Sequence, residues 1–184
     1  SVMNIEDVEL TRPSKDEVIL RHTAIGLNFI DIYIRSGLYP VPSFPAVIGM
    51  EAAGIIEELG PEAKNFAVGD RVAYPMCLGA YTDARLISES KLVKLPPTIT
   101  DQTAASIMLK GLTAHYLLFR TFKVKPGDNI LVYAAAGGVG LLICQWAKIL
   151  GATVIGCVGT EKKAALAKAH GCDQIVFYES QSIP

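Results

Sequence analysis

The sequence has little cysteine, no excess of charge of either sign and no long apolar run, and each scarcity excludes a class of protein. Four cysteines occur in 184 residues, and none lies in a Cys-x-x-Cys pair or a metal-type spacing. We therefore expect reduced core thiols of a cytoplasmic protein instead of a disulfide framework or a zinc knuckle. Lys and Arg number 17 against 18 Asp and Glu, which argues against a nucleic-acid partner. The apolar runs are too short to span a bilayer, so no membrane association is expected.

The first hundred residues have the pattern of a β-rich domain. Hydrophobic residues make up 51% of the chain, enough for a folded core. Short apolar or alternating runs, such as residues 51–58, are separated by Gly and Pro, which is typical of a barrel or sandwich. Residues 28–36 favour one or two helical turns. Thr100 is predicted to cap a helix that covers residues 104–122, with Gly111 interrupting it.

After Pro126 the pattern changes to alternating strands and helices. Strands are predicted at 129–134, 152–158 and 174–177, with helices at 137–150 and 161–170. The two longer strands are apolar at nearly every position, as expected when helices cover both faces of a parallel sheet. Leu142, Trp146 and Ile149 share helical spacing and are predicted to pack on that sheet. The βαβαβ order is half of a doubly wound nucleotide-binding domain, so we expect a truncated chain.

A glycine-rich loop, residues 134–140, stands between the first of these strands and its helix. Glycines allow the backbone to approach a pyrophosphate, while the helix N-terminus offers free N–H groups and the positive end of its dipole. Alanine occupies position 134, where the first glycine of such loops is usual, and Gly140 should allow close helix–strand packing. A structural turn without a ligand is the alternative. The residues predicted to bind a dinucleotide here are Ala136, Gly137, Gly138, Val139 and Gly140.

The end of the second strand indicates which dinucleotide binds. NAD enzymes usually place an Asp or Glu there, whereas this chain has Gly159 and Thr160. Lys162 and Lys163 follow and could meet a 2′-phosphate, so the predicted cofactor is NADPH. Two alternatives stay open: the lysines only lie on an exposed first helical turn, or Glu161 is the ribose acid of an NAD enzyme.

Longer motifs resemble one family. The run GDxxLxxxAAGGxGxxxxQxxK over residues 127–148 is similar to the signature of the quinone oxidoreductase/ζ-crystallin branch of the zinc-free medium-chain dehydrogenase/reductase superfamily. Residues 28–40, 49–54 and 110–114 resemble the same branch, so the similarity runs nearly from end to end. It implies an α/β chain with a GroES-like β-barrel catalytic domain over 1–108. The N-terminal half of a Rossmann NADPH-binding domain would follow over 109–184, with truncation at both ends.

The resemblance implies an activity and an assembly. The activity is the reduction of quinones by NADPH, in a homodimer formed through the Rossmann domains. Two alternatives stay open: an NADPH-dependent reductase of α,β-unsaturated carbonyls, and a non-catalytic NADPH-binding or crystallin-like structural protein. No metal is expected, because Asn28 and Met50 stand where zinc enzymes of the superfamily carry Cys and His. Amides and thioethers are poor zinc ligands.

The resemblance also assigns the remaining site residues. Asn28, Asp31, Tyr33 and Tyr39 form the catalytic group: the Asn28 amide would hold a substrate carbonyl or the ribose–nicotinamide end of the cofactor, and the tyrosines offer hydroxyls and flat rings for a quinone. Cofactor binding is assigned to Lys110, Thr113, Lys163 and Tyr178, with Thr113 at the nicotinamide amide, Lys163 at the 2′-phosphate and Tyr178 near the adenosine ribose.

Structural alternatives accompany several of these assignments. Tyr33 and Tyr39 could be wall residues only, and Asp31 could simply pair with Lys110 or Arg35. His115 could be a proton relay, although a lone helical histidine is more often structural. Because a hydroquinone can take its protons from water, we expect binding residues instead of one indispensable acid.

Overall fold

The computed structural model describes residues 3–178 and divides the chain into two compact units, with the boundary between Leu109 and Lys110. The first unit contains one sheet and two helices, with the second helix crossing the boundary. The strands are β1 (Glu17–Ile25), β2 (Glu51–Leu59), β3 (Arg71–Pro75), β4 (Ala84–Ser88) and β5 (Val93–Lys94). The helices are α1 (Phe29–Arg35) and α2 (Asp101–Tyr116), with a short 3-10 helix at Glu89–Lys91. No helix in the described part of the chain is long and apolar enough to cross a membrane.

The first unit is built on an antiparallel sheet with the strand order β4-β1-β2-β3-β5. Val18 and Leu20 of β1 alternate inward and pack with Ile56 of β2 and Val72 and Tyr74 of β3. The β-rich first half predicted from the Gly and Pro spacing is therefore confirmed. Alternation along β1 is what a sheet with one buried face requires.

Both predicted helices of this unit form. Asn28 and Ser36 cap the ends of α1. The Thr103 N–H donates to Thr100 Oγ1 over 3.1 Å, which confirms Thr100 as the cap of α2. Gly111 does not interrupt α2, which runs to Tyr116 and continues as a π-helical segment at Leu117–Thr121.

The second unit contains a parallel sheet in the order β6-β7-β8. Its strands are β6 (Asn129–Tyr133), β7 (Thr153–Val158) and β8 (Gln174–Phe177), and its helices are α3 (Gly138–Ile149) and α4 (Glu161–Ala169). The predicted βαβαβ order is confirmed. Cys144, Cys157 and Cys172 are free and buried, as expected of core thiols, and burial raises the pKa of Cys144 to about 12.

The sheet of the second unit is not covered on both faces within the described residues. Leu131 and Tyr133 of β6 are 48% and 61% exposed, so the prediction of two covered faces is wrong for this strand. The strand order explains this exposure. The strands β6, β7 and β8 lie side by side in the sheet in the same order as in the sequence. Two successive right-handed crossovers in one direction place their helices on the same face.

The inner face of α3 differs from the prediction. Its buried residues are Gly140, Cys144 and Ala147, and Trp146 is only partly buried against the core. Ile149 is 81% exposed, so its predicted place in the core is wrong. Small side chains allow the helix axis to approach the sheet, which turns the larger residues to the flanks.

Gly140 lies where α3 comes closest to the loop that follows β6. A Cβ at this position would lie 2.3 Å from the Ala134 carbonyl oxygen and 2.8 Å from Ala135 Cα. At Gly138 an added Cβ would instead meet Lys110 Cδ at 2.9 Å, and a lysine stem can move. The predicted close packing at Gly140 is therefore confirmed, and it is enforced by backbone atoms.

Gly140→Ala should destabilise the protein by about 1–3 kcal/mol, because the new methyl group forces backbone atoms apart. Gly138→Ala is the matched control and should cost less than about 1 kcal/mol. Urea unfolding of the two variants and the wild type measures the difference. Equal stability of the two variants would contradict the close approach described here.

A half-buried histidine on β1 connects by hydrogen bonds to β3 and to Thr82 in the first unit. His22 Nδ1 donates to the Thr82 carbonyl over 2.7 Å, and its Nε2 accepts from the Tyr74 hydroxyl over 2.9 Å. Arg85 Nη1 donates to the same Tyr74 oxygen over 3.2 Å. Burial, with a contribution from the Arg85 charge, lowers the pKa of His22. The folded protein therefore disfavours the imidazolium form.

His22→Gln should reduce the loss of stability on acidification. In the wild type the unfolded His22 takes up a proton near its ordinary pKa of about 6.5, while the folded residue resists. Above that pH, His22 is neutral in both states and takes nothing from the free energy of unfolding. As the pH falls toward the folded pKa, protonation of the unfolded state progressively lowers the free energy of unfolding. Urea unfolding at neutral pH and near pH 5 should show a smaller difference in the variant. An unchanged difference would mean that other groups cause the acid sensitivity.

Candidate functional site

A buried polar network surrounds the start of α1. Asn28 is its N-cap, and the Asn28 backbone N–H donates to Asp31 Oδ2 over 2.8 Å. Asn28 Nδ2 donates to Glu51 Oε2 over 2.8 Å. Glu51 Oε1 accepts from the Leu109 N–H over 2.7 Å. Asn28, Asp31 and Glu51 are all at least nine-tenths buried, so these side chains are held in single orientations.

Asp31 connects this network to Tyr81. Its Oδ2 also accepts from the Tyr81 hydroxyl over 3.0 Å, and burial together with this carboxylate raises the pKa of Tyr81 to about 12. Among the described residues, Asp31 Oδ1 is buried without a hydrogen-bond partner. A cavity of about 60 Å³ adjoins it, lined by Met3, Leu27, Asp31, Ile32, Arg35, Ile48 and Tyr81. Asp31 therefore fixes the entry into α1 and the position of Tyr81.

The predicted tyrosines lie together on an aromatic surface. The rings of Tyr33 and Tyr39 meet edge to face at 5.5 Å, and the Phe29 ring lies 6.3 Å from that of Tyr33. The Tyr39 N–H donates to the Tyr33 carbonyl over 3.1 Å, which holds the loop after α1 against the helix. All three rings are substantially exposed. They offer flat apolar surface with two hydroxyl groups.

The glycine-rich loop has the geometry of a phosphate cradle. Gly137 is the N-cap of α3 and makes no side-chain cap hydrogen bond, so no capping side chain occupies the first N–H groups of the helix. Ala134 has a φ of 50°, the left-handed conformation that the usual glycine would adopt there. The Lys110 stem lies beside Gly138. Ala136 and Val139 are partly buried in the same loop. These residues fit the pyrophosphate of a dinucleotide.

The carboxyl end of β7 brings together residues that the sequence analysis assigned to the adenosine side. A Cβ at Gly159 would lie 2.5 Å from the Tyr178 hydroxyl oxygen, so the phenol lies directly over the glycine. Thr160 is the N-cap of α4 and its Oγ1 accepts from the Lys163 N–H over 3.3 Å. Lys163 is exposed in the first turn of α4. The assignment of these residues to the ribose and its phosphate stays a prediction.

The first turn of α4 carries side chains of both charges, and the assignment of the 2′-phosphate to Lys163 stays a prediction. Glu161 and Lys162 are exposed beside Lys163, so an acid and two lysines face solvent at the same helix start. Thr113 is partly buried in α2. His115 stacks on Phe119 at 5.1 Å and lies 5.8 Å from the Trp146 ring, which favours its structural interpretation.

The sequence alone predicts no role for Glu51, Tyr81 or Phe29. Glu51 had a visible signal, since it is a lone carboxylate at the start of an apolar strand that becomes fully buried. Phe29 precedes Tyr33 by one helical turn, which places both rings on one side of α1. The sequence carries no signal for Tyr81, because its contact with Asp31 joins residues 50 positions apart.

The residues of the first unit do not fit a catalytic zinc ion. Asn28 Nδ2 is bound to Glu51, and Met50 offers only a thioether. Within residues 3–178, no group of three or more His, Cys, Asp or Glu side chains could hold a metal ion. The donor set at the position of the zinc enzymes' metal therefore lacks the ligands that zinc requires.

Two family models match the chain. The alcohol dehydrogenase GroES-like domain matches residues 14–121, and the zinc-binding dehydrogenase model matches residues 138–183. The first covers more than half of the chain. The fold class is thereby confirmed as a GroES-like domain followed by part of a Rossmann-like domain.

Individual relatives are similar over nearly the whole chain. A quinone oxidoreductase of Pseudomonas aeruginosa is 49% identical, with 99% of this chain and 56% of the relative covered. A 2-haloacrylate reductase of a Burkholderia species is 48% identical, covering 96% and 55%. The crystal structure of Escherichia coli quinone oxidoreductase complexed with NADPH has a TM-score of 0.93 at 47% identity, covering 96% and 55%.

The chain thus spans about half the length of these relatives. The two family models together, and each of these relatives alone, match residues in both units of the chain. The chain belongs to the alcohol dehydrogenase GroES-like family, and its predicted resemblance to the quinone oxidoreductases of the medium-chain dehydrogenase/reductase superfamily is confirmed.

Proposed function

We propose that the protein containing this chain is a zinc-independent, NADPH-dependent quinone reductase. The observation that carries the proposal is the nearly end-to-end similarity to quinone oxidoreductases, one of them solved with NADPH. In this proposal residues 1–108 form the catalytic domain and residues 109–184 the N-terminal half of the cofactor domain. The local geometry of each unit supports this division of roles.

The second unit supplies the binding groups for the cofactor. The backbone N–H groups in the first turn of α3, which begins after Gly137, would hold the pyrophosphate. The Lys110 side chain, which lies beside Gly138, would contribute its positive charge. Lys163, Thr160 and Tyr178 would hold the ribose with its 2′-phosphate. Thr113 would bind the nicotinamide amide. When bound, NADPH supplies a hydride.

The first unit supplies the substrate surface. Tyr33 and Tyr39 present rings on which a flat quinone can lie, and their hydroxyls can donate to its carbonyl oxygens. The donor set at Asn28 and Met50 does not provide a Lewis acid for ionising an alcohol. A substrate that is already electrophilic suits such a site.

The same chemistry admits a second candidate function, reduction of an activated alkene. The 48% identity with a 2-haloacrylate reductase favours this alternative, because haloacrylates are α,β-unsaturated carboxylates. Both substrates accept a hydride without metal assistance. The two candidates differ in the shape and polarity of the acceptor.

We infer the cellular setting from the cysteines and from the family resemblance. Three buried, free thiols suit a reducing cytoplasm. A homodimer formed through the Rossmann domains is proposed from the resemblance alone.

Steady-state oxidation of NADPH with a quinone and with an enone tests the function directly. We expect kcat/KM to be higher with the quinone, and a chelator to leave the rate unchanged. A preference for the enone would favour the alkene reductase. Binding of NADPH without turnover of either acceptor would favour a non-catalytic protein. Stoichiometric zinc, lost together with activity, would overturn the metal-free proposal.

Lys163→Ala should raise the KM for NADPH by about ten- to a hundred-fold. A charge-assisted contact with the 2′-phosphate contributes about 1.5–3 kcal/mol, and each 1.4 kcal/mol is a factor of about ten. The KM for NADH should change little, and Lys162→Ala, the matched control, should have the smaller effect. If Lys163→Ala weakened both dinucleotides equally, the lysine would only stabilise α4 and the 2′-phosphate assignment would fail.

A further inference from the structure

Met76 has an unusual backbone conformation directly after β3. Its φ is 61°, in the left-handed region, where a residue with a Cβ is strained and glycine is the usual occupant. Such a conformation persists only where the surrounding structure enforces it, and these conformations cluster at functional sites. The Met76 side chain is also 62% exposed. The position therefore combines a strained backbone with an exposed thioether, and neither favours folding.

The loop that follows holds Met76 in this conformation. Cys77, the next residue, packs against the core cluster of the first unit, and its carbonyl accepts from Arg85 Nη1 over 3.3 Å. The Gly79 N–H donates to the Gly49 carbonyl over 3.0 Å, which ties the loop to the chain before β2. Because Cys77 packs inward and the loop is held on both sides, Met76 is the residue whose side chain turns outward.

Met76 lies at the same end of the sheet as Asn28 and Met50. Glu51 of β2 lies opposite Pro75 of β3 in the antiparallel register. The next residues outward on the two chain segments are therefore Met50 and Met76. Asn28 is joined to this end of β2 by the 2.8 Å hydrogen bond from its Nδ2 to Glu51 Oε2. Three chain segments thus bring Asn28, Met50 and Met76 to one end of the sheet.

This end of the sheet adjoins the aromatic surface of the first unit. Phe29 follows Asn28 directly, and its ring lies 6.3 Å from that of Tyr33. Met50 is only 8% exposed, so Met76 is the methionine that can offer its side chain to a molecule bound here. A thioether is flexible and polarizable, and it makes favourable contacts with conjugated rings.

We propose that Met76 is a specificity-determining residue whose side chain packs on the ring of the hydride acceptor. The thioether favours a flat, conjugated ring such as that of a naphthoquinone over a small acyclic alkene, because the ring offers more apolar surface to cover. The left-handed backbone at this position directs the side chain outward. This inference rests on the proposed quinone reduction and names the part of the substrate that the residue recognises.

Met76→Gly tests this role in the full-length protein because it separates binding from stability. Glycine adopts the left-handed backbone without strain, so the midpoint of urea unfolding should not fall. The KM for a naphthoquinone should nevertheless rise about ten-fold, since the apolar contact is lost. Both kcat and the KM for NADPH should change by less than about two-fold. The KM for methyl vinyl ketone, a small acyclic enone, should change by less than about three-fold.

Two further variants serve as matched controls. Lys15 has a φ of 43° and is exposed in the turn before β1, so Lys15→Gly relieves a similar backbone elsewhere in the first unit. It should leave the KM for both acceptors unchanged. Met76→Leu keeps an apolar side chain of similar volume and should hold the KM for the naphthoquinone within about three-fold of the wild type.

The possible results separate a binding role from a structural one. An unchanged KM for the naphthoquinone in Met76→Gly, or an equal rise for both acceptors, would overturn the specificity role. A lower unfolding midpoint with a higher KM for NADPH as well would show a structural role and would also overturn it. A wild-type protein that oxidises NADPH with neither acceptor would instead overturn the proposed function, and this inference with it.

Discussion

The burial of one carboxylate organises the first unit. Glu51 at the start of β2 has no exposed surface, and a charge in that position requires donors from elsewhere in the chain. The Asn28 amide and the Leu109 backbone supply them, so α1 and α2 are both held to the same strand. Asp31 then ties the start of α1 to Tyr81. The entry into α1, and with it the aromatic surface of Phe29, Tyr33 and Tyr39, depends on this network.

The second unit depends on a close approach of backbones. Gly140 brings α3 against the loop after β6, at a distance that no side chain permits. The buried stripe of Gly140, Cys144 and Ala147 continues that approach along the helix. The N-terminus of α3 is thereby held at the carboxyl end of the parallel sheet, where doubly wound folds bind their ligands. Gly159 and Tyr178 meet at the same end of the sheet.

The two units contribute different kinds of chemistry to the proposed reaction. The second offers N–H groups and lysines, which match phosphates by charge and direction. The first offers rings, hydroxyls and an amide, and its described residues contain no group of three or more His, Cys, Asp or Glu side chains that could hold a zinc ion. This combination favours a substrate that accepts a hydride without a Lewis acid, and quinones and activated alkenes both meet that condition.

The sequence by itself determined the order of strands and helices and the place of the glycine loop, because these depend on local periodicity and on residues close together in the chain. The β8 strand and the Thr100 cap lie where local pattern placed them. Only the tertiary structure decided which residues meet across long separations. The contacts of Glu51 with Leu109 and of Asp31 with Tyr81 join residues more than 49 positions apart, and no spacing rule announces them. The exposure of Ile149 was likewise decided by packing, since small residues drew the other side of α3 onto the sheet.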